Sequence, residues 1–242
     1  KAAECGRSRA GGCLAVQRAS RRSRLAGLLG VTALLSACGG NSAASGQAGA
    51  GAARVSETAP PASATGGFDA ARAYQHVVNL VAIGPHSAGT EGGRRAQEYI
   101  VGQLQGFGCT VDQQTFTARS TPVGDVNMKN IVAKIPGASP DIVMFTTHFD
   151  SKRMANFVGA DDGGSSTGVM LEMARLLCAR KNSLAVWIAF FDGEEAFNKN
   201  WVDPDNTYGS REMAARLALS GELGRVRAFV LADLVGNHKL RL

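Results

Sequence analysis

Apolar residues recur at helical spacing over Ala70–Val81 and again over Arg94–Leu104, with a turn-rich loop, Ile83 to Thr90, between them. Downstream the period shortens. Cys109–Thr117 and Asn130–Ile135 alternate apolar and polar positions, as half-buried strands do. Asp141–Thr147 and Leu184–Phe191 are continuous apolar runs, which predict strands covered on both faces. Between these two runs a helix is predicted over Ser166–Ala179, with Val169, Met173, Leu176 and Leu177 on one face. A further helix, Ser210–Ser220, precedes a last strand, Ala228–Val235. Strands alternating with helices predict an α/β fold, a three-layer α/β/α sandwich with a mostly parallel central sheet. In such sheets the chemistry gathers at the carboxyl ends of the strands.

Before residue 68 the pattern is different. Gly39 to Gly67 is mostly Gly, Ala and Ser, too poor in apolar anchors to order itself, and predicts a flexible linker over 39–67. The folded domain is expected over 68–242. The formal net charge of +6 resides in residues 1–37, which hold Lys1 and six arginines against Glu4; the remainder has 19 basic and 19 acidic residues. That balance removes nucleic acid from the expected partners. The early arginines precede an apolar run, Leu25 to Leu35, too short to span a bilayer, and then Leu35-Ser36-Ala37-Cys38. This is the layout of a bacterial lipoprotein signal over 1–38. Cys38 is the expected lipidation site, giving a membrane anchor at the periplasmic side, the outer membrane or the cell surface. The first residue is Lys1 and not methionine, so residues 1 to about 20 are expected to be miscalled upstream sequence. Of the later cysteines, Cys109 and Cys178 could form one disulfide, while the apolar helix around Cys178 favours a small core residue there.

The candidate chemistry lies where strands end. His148 and Asp150 close one central strand. Asp161 and Asp162 occupy the glycine-rich turn before the next helix, Glu194 and Glu195 follow the second central strand, and Asp233 closes the last. Imidazole and carboxylates converging on one sheet edge suit Zn²⁺, and a cation relieves the repulsion among clustered carboxylates. Adjacent side chains at a strand end point in different directions, so one of Glu194 and Glu195 can bind metal while the other moves protons. Asp161 is expected to stabilise its turn, and His86 and His238 are expected to be loop residues.

Three ordered motifs carry a resemblance. Thr147-His148-Phe149-Asp150-Ser151-Lys152, Phe157-Val158-Gly159-Ala160-Asp161-Asp162 and Phe191-Asp192-Gly193-Glu194-Glu195-Ala196-Phe197 resemble glutaminyl-peptide cyclotransferases, which share a fold with zinc aminopeptidases of peptidase family M28. Trp201, Tyr208-Gly209-Ser210-Arg211 and Asp233-Leu234-Val235-Gly236 extend the resemblance over residues 68–242. It implies that Asp162 and Glu195 are zinc ligands and that Glu194 is the general acid/base. Asp233 is implied as a second-metal ligand in an aminopeptidase, or as a proton relay or amine contact in a cyclotransferase. His148 is implied as a ligand where two zinc ions bind, oriented by Asp150, and as a neighbour of the metal that does not bind it in one-zinc cyclotransferases; Trp201 is implied as the aromatic wall of the substrate pocket.

The implied function is zinc-dependent conversion of an N-terminal glutamine of a peptide or protein to pyroglutamate, with one or two zinc ions. The alternatives are a zinc aminopeptidase on the same residues and an inactive remnant. The resemblance also implies a further zinc-binding histidine beyond Asp233 that is absent from these residues. A domain lacking its C-terminal part, with an exposed sheet edge, is therefore expected.

Overall fold

The computed structural model of the chain describes residues 59–237. The expected signal region with Cys38, the linker up to residue 58 and His238 lie outside the described residues. Helix α1, Ala70–Ile83, starts at Asp69, whose side chain accepts the N–H groups of Ala71 and Arg72, and it stops at Gly84. Helix α2, Glu91–Gly106, is capped in the same way by the Thr90 hydroxyl on the Gly93 N–H. Strands β1, Val111–Thr121, and β2, Gly124–Ile135, form an antiparallel hairpin. Then follow β3, Gly137–His148, α3, Gly164–Cys178, β4, Asn182–Phe191, α4, Tyr208–Ser220, and β5, Val226–Leu231.

The five strands form one open sheet in the order β1-β2-β4-β3-β5. Its β4, β3 and β5 part is parallel and its β1, β2 and β4 part antiparallel, so the sheet is mixed. Helices cover both faces. Strand β4 shows why its sequence reads as one apolar run. Val186, Ile188 and Phe190 pack towards α1, α2 and α3 with Leu80, Ile100 and Leu171, while Ala185, Trp187, Ala189 and Phe191 pack with Met213 and Leu217 of α4. Alternate side chains of a strand leave by opposite faces, so a strand with two covered faces needs no polar positions.

Two expectations change. The last strand ends at Leu231 and not at Val235. Beyond it the chain turns at Leu234 (φ +49°), and the Val235 and Gly236 N–H groups bond to Ser165 Oγ and Asp161 Oδ1, which draws this segment onto the Gly159–Gly164 turn. Cys178 is not a plain core thiol. It forms a disulfide with Cys109, joining the end of α3 to the chain just before β1. Strand β5 pairs with β3 alone among the described residues, and Phe229 and Leu231 on it are 56% and 62% exposed. No helix among the described residues is long and apolar enough to cross a membrane.

Candidate metal centre

The register of the parallel strands assembles the site. His148 on β3 lies opposite Phe191 on β4, so the turn carrying Glu194 and Glu195 starts beside His148. Thr146 lies opposite Leu231 on β5, and two residues further along each chain stand His148 and Asp233. Three segments distant in sequence therefore reach one edge of the sheet, at the strand carboxyl ends.

His148 is the centre of the group and is 2% exposed. Its Nδ1 lies 3.1 Å from the Asp150 carbonyl oxygen and 3.5 Å from Asp150 Oδ1. Its Nε2 faces Asp162 Oδ1 at 3.2 Å and Asp233 Oδ1 at 3.4 Å, yet it is buried and makes no hydrogen bond. His148, Asp162 and Asp233 each offer a ligand atom, and these atoms lie within 4.8 Å of one another. Burial alone would lower the imidazole pKa. The carboxylates of Asp150, Asp162 and Asp233 outweigh it and hold His148 well above its ordinary value. Asp233 is lowered in return, first by its contact with His148. A glycine makes this approach available. Gly163 has φ +76°, and a Cβ there would stand 2.9 Å from His148 Cε1.

Glu194 and Glu195 are fixed through their backbones. The Asp150 carboxylate, 1% exposed, accepts the Glu194 N–H on Oδ1 at 3.0 Å and the Glu195 N–H on Oδ2 at 3.2 Å. From the other side the Glu194 carbonyl accepts the Thr207 N–H at 2.8 Å. The turn between β4 and Glu194 needs Gly193, whose φ is +65° and whose absent Cβ would lie 2.5 Å from Met128 Sδ. Glu194 Oε2 stands 4.0 Å from His148 Nδ1. Burial, the largest cause, pushes both the Glu194 and the Glu195 carboxyl up to about 7. The charge of Asp162 adds to the rise at Glu195, so these two carboxyls act on each other.

The structure thus brings His148, Asp162, Asp233 and Glu194 together. Glu195 is not in the three-ligand group; its Oε2 pairs with Lys152 Nζ at 3.5 Å. Trp201 stands on the loop after β4, 52% exposed. Asp161 holds its turn, accepting the Gly236 N–H. His86 is a loop residue but a buried one, with Nδ1 on the Gly84 carbonyl. Three supporting residues carry no signal of their role in the sequence. Lys152 looks like any exposed lysine until its partner is known. Asp205, which accepts the N–H groups of Phe197 and Asn198, lies in a stretch without periodicity. Asp192 reads as part of an acidic turn, yet it is fully buried, with Oδ2 accepting from Gln97 and from the Lys129 N–H.

Residues 130–241 match the model of peptidase family M28. A glutaminyl-peptide cyclotransferase of Drosophila melanogaster is 31% identical over 159 residues, covering 63% of this chain and 45% of that protein. Among solved structures, a glutaminyl cyclase from an Acidobacteriales bacterium superposes with a TM-score of 0.68 at 32% identity, over 72% of this chain and 61% of that one. A Zn-dependent exopeptidase from Parabacteroides distasonis gives 0.60 at 26% identity, over 70% and 62% of the two chains. The chain spans about half the length of the curated relatives it matches. In its open α/β sheet the chain is similar to glutaminyl cyclases, and over residues 130–241 it is similar to peptidase family M28.

Proposed function

We propose that this domain is a zinc-dependent glutaminyl-peptide cyclotransferase acting on the N-termini of peptides and proteins. The observation that carries the reading is Glu194, a half-buried carboxyl raised to about 7 and set 4.0 Å from Nδ1 of His148, a member of the His148–Asp162–Asp233 group. The donor chemistry fits the metal: one imidazole nitrogen, buried and without a hydrogen bond, faces two carboxylate oxygens. The Nδ1 contact with the Asp150 carbonyl fits a ring that keeps its proton on Nδ1 and its Nε2 lone pair for a ligand. His148, Asp162 and Asp233 would hold the ion. When bound, zinc supplies a Lewis acid that polarises the γ-carboxamide of the substrate.

The remaining work falls to the side chains. Glu194 takes a proton from the substrate's α-amine as its nitrogen attacks the γ-carboxamide carbon. The same Glu194 then delivers that proton to the departing nitrogen, so the C–N bond to ammonia breaks and the ring amide remains. A carboxyl near 7 suits both halves of this exchange. Asp150 holds the Glu194 backbone still throughout. Asp233 supplies a negative contact for the substrate amine, and Trp201 offers an exposed aromatic face on the same loop. Ammonia release from a glutamine-initiated dipeptide tests the reading.

A second reading is favoured by a specific observation. His148, Asp162 and Asp233 are the group that the resemblance implies for a two-zinc aminopeptidase, and they stand preassembled here. On that reading Glu194 takes its proton from water, which attacks the first peptide bond. Release of the anilide from a leucyl anilide, with no ammonia from the glutamine substrate, would select it. Export with a lipid anchor at Cys38 is proposed with either reading. The Cys109–Cys178 disulfide supports it, since such bonds persist in oxidising compartments. Mass spectrometry of Cys38 in protein from membranes tests the anchor.

A further inference from the structure

Among the described residues every arginine but one makes a hydrogen bond or an ion pair through its guanidinium. The exception is Arg153, an exposed residue whose guanidinium carbon stands 5.9 Å from the centre of the Phe197 ring. An aromatic face holds a cation at that distance. Such a contact places the guanidinium without using its N–H donors, so the fork remains open to a ligand.

The position of this free cation ties it to the candidate site. Arg153 follows Asp150 by three residues, and Phe197 follows Glu194 by three. Next to the ring contact, Lys152 Nζ donates to the Ala196 carbonyl at 2.7 Å, so the segments after β3 and after β4 are joined twice. Arg153 and Met154 also line an open cavity of about 380 Å³ with Pro85, Ser87 and Thr90. Glu91 is the carboxylate on that wall, and Arg94 holds both of its oxygens. Asp205, beside Phe197, is 7% exposed and spends its two oxygens on the N–H groups of Phe197 and Asn198. Neither acid pairs with Arg153, and the ligand that suits an uncommitted guanidinium fork is a carboxylate.

We propose that Arg153 sets substrate preference by binding a carboxylate on the peptide downstream of its N-terminal residue, so that peptides with an acidic second or third residue are favoured. This rests on the reading of peptide N-termini as substrate and deepens it by naming the class of peptide. The lengths agree. An extended chain advances at most about 3.3–3.6 Å per residue, so three residues of substrate cover any distance that the three steps from Glu194 to Phe197 can span. Phe197 holds the guanidinium at the end of that span, and Lys152 is not available for the role, being committed to Ala196 and Glu195.

The test is peptide binding, measured by calorimetry on the zinc-equilibrated full chain carrying Glu194→Gln, so that the peptides stay intact. The probes are tripeptide amides that begin with glutamine and carry glutamate, glutamine or lysine at the second or the third position. An exposed ion pair of this kind makes the acidic peptide bind roughly 2–5-fold more tightly than the neutral one, with the lysine peptide weakest. Adding Arg153→Met is expected to abolish the preference, and Arg153→Glu to reverse it in favour of lysine. The neutral peptide with a free C-terminus distinguishes the source of the carboxylate: tightening that depends on Arg153 places the chain end, and not a side chain, on the guanidinium. Circular dichroism checks that each variant is folded. No preference with Arg153 present, or the same preference in folded Arg153→Met, overturns the proposal, as does an absence of binding by every peptide. Ammonia release by the wild-type chain is measured separately; the predicted preference without any ammonia refutes the cyclotransferase reading and leaves the role of Arg153 standing.

Discussion

The carboxylate of Asp150 accepts the backbone N–H of Glu194 at 3.0 Å, so the chain just beyond β3 holds Glu194, the residue proposed for proton transfer, which follows β4. The same carboxylate takes the Glu195 N–H and lies against His148. One buried side chain thus sets the relation between His148 and the turn that carries Glu194 and Glu195.

Removing that carboxylate strands two N–H donors, one buried and one partly buried. Asp150→Ala is expected to lose roughly 2–4 kcal/mol of stability, the cost of leaving such donors unpaired. Urea denaturation checks this. A midpoint unchanged from wild type would mean that the Glu194–Glu195 turn holds its shape without Asp150.

Asp192 yields a pH dependence of known sign. Burial first, then the charge of Asp150, pushes its carboxyl from 3.8 up to about 7. Between those values the folded chain keeps a proton that the unfolded chain releases, so this group's contribution to stability falls as pH rises from about 4 to 7. Asp192→Asn mimics the protonated acid. In metal-free protein the variant is expected to match wild type near pH 4 and to exceed it by roughly 2–4 kcal/mol near pH 8. Denaturation midpoints across pH would show two parallel curves if the idea is wrong.

The Cys109–Cys178 bond closes a loop with a sequence separation of 69 residues. Reduction, or Cys178→Ala with Cys109→Ala, is expected to cost about 2–4 kcal/mol, largely by freeing the unfolded chain. Thermal melts with and without reductant measure it; identical melting temperatures would count against the bond's contribution.

Gly163 lets its turn reach His148. Alanine there combines a positive φ with a Cβ 2.9 Å from the imidazole. Backbone strain of this kind costs about 1–3 kcal/mol. Gly163→Ala is therefore expected to lower both stability and zinc affinity, whereas Gly108→Ala, at positive φ with open space around it, lowers stability alone. Zinc titration of the two variants separates the effects; equal zinc affinity would contradict the close approach.

The sequence is most legible where burial is continuous. Strand β4 and the last residues of β3 stand out because both faces are covered, and their carboxyl ends then locate the site. The three motifs place His148, Asp162 and Glu194 at or after those ends without any geometry, and the run Asp233-Leu234-Val235-Gly236 adds Asp233 after the last strand. What stays hidden depends on partners. Nothing local distinguishes Lys152 from a solvated lysine, or Asp192 from an exposed acid, because their surroundings come from segments dozens of residues away. Cys178 is hidden for the same reason: helix periodicity describes its face and not the segment before β1 that lies opposite it. The end of β5 escapes the pattern because apolar residues continue past Leu231, while the hydrogen bonds of Val235 and Gly236 to the neighbouring turn take over from the ladder.

The function proposed for this site turns on proton transfer by Glu194. Zinc-equilibrated protein is given a glutamine-initiated dipeptide near pH 8, and ammonia is measured by a coupled assay. The wild-type chain is expected to release ammonia and form the pyroglutamyl product. Glu194→Gln, which removes the general acid/base, is expected to lose that rate by at least about 100-fold, with zinc content unchanged. Equal rates in the two proteins, or release of an anilide from a leucyl substrate with no ammonia at all, would contradict that role.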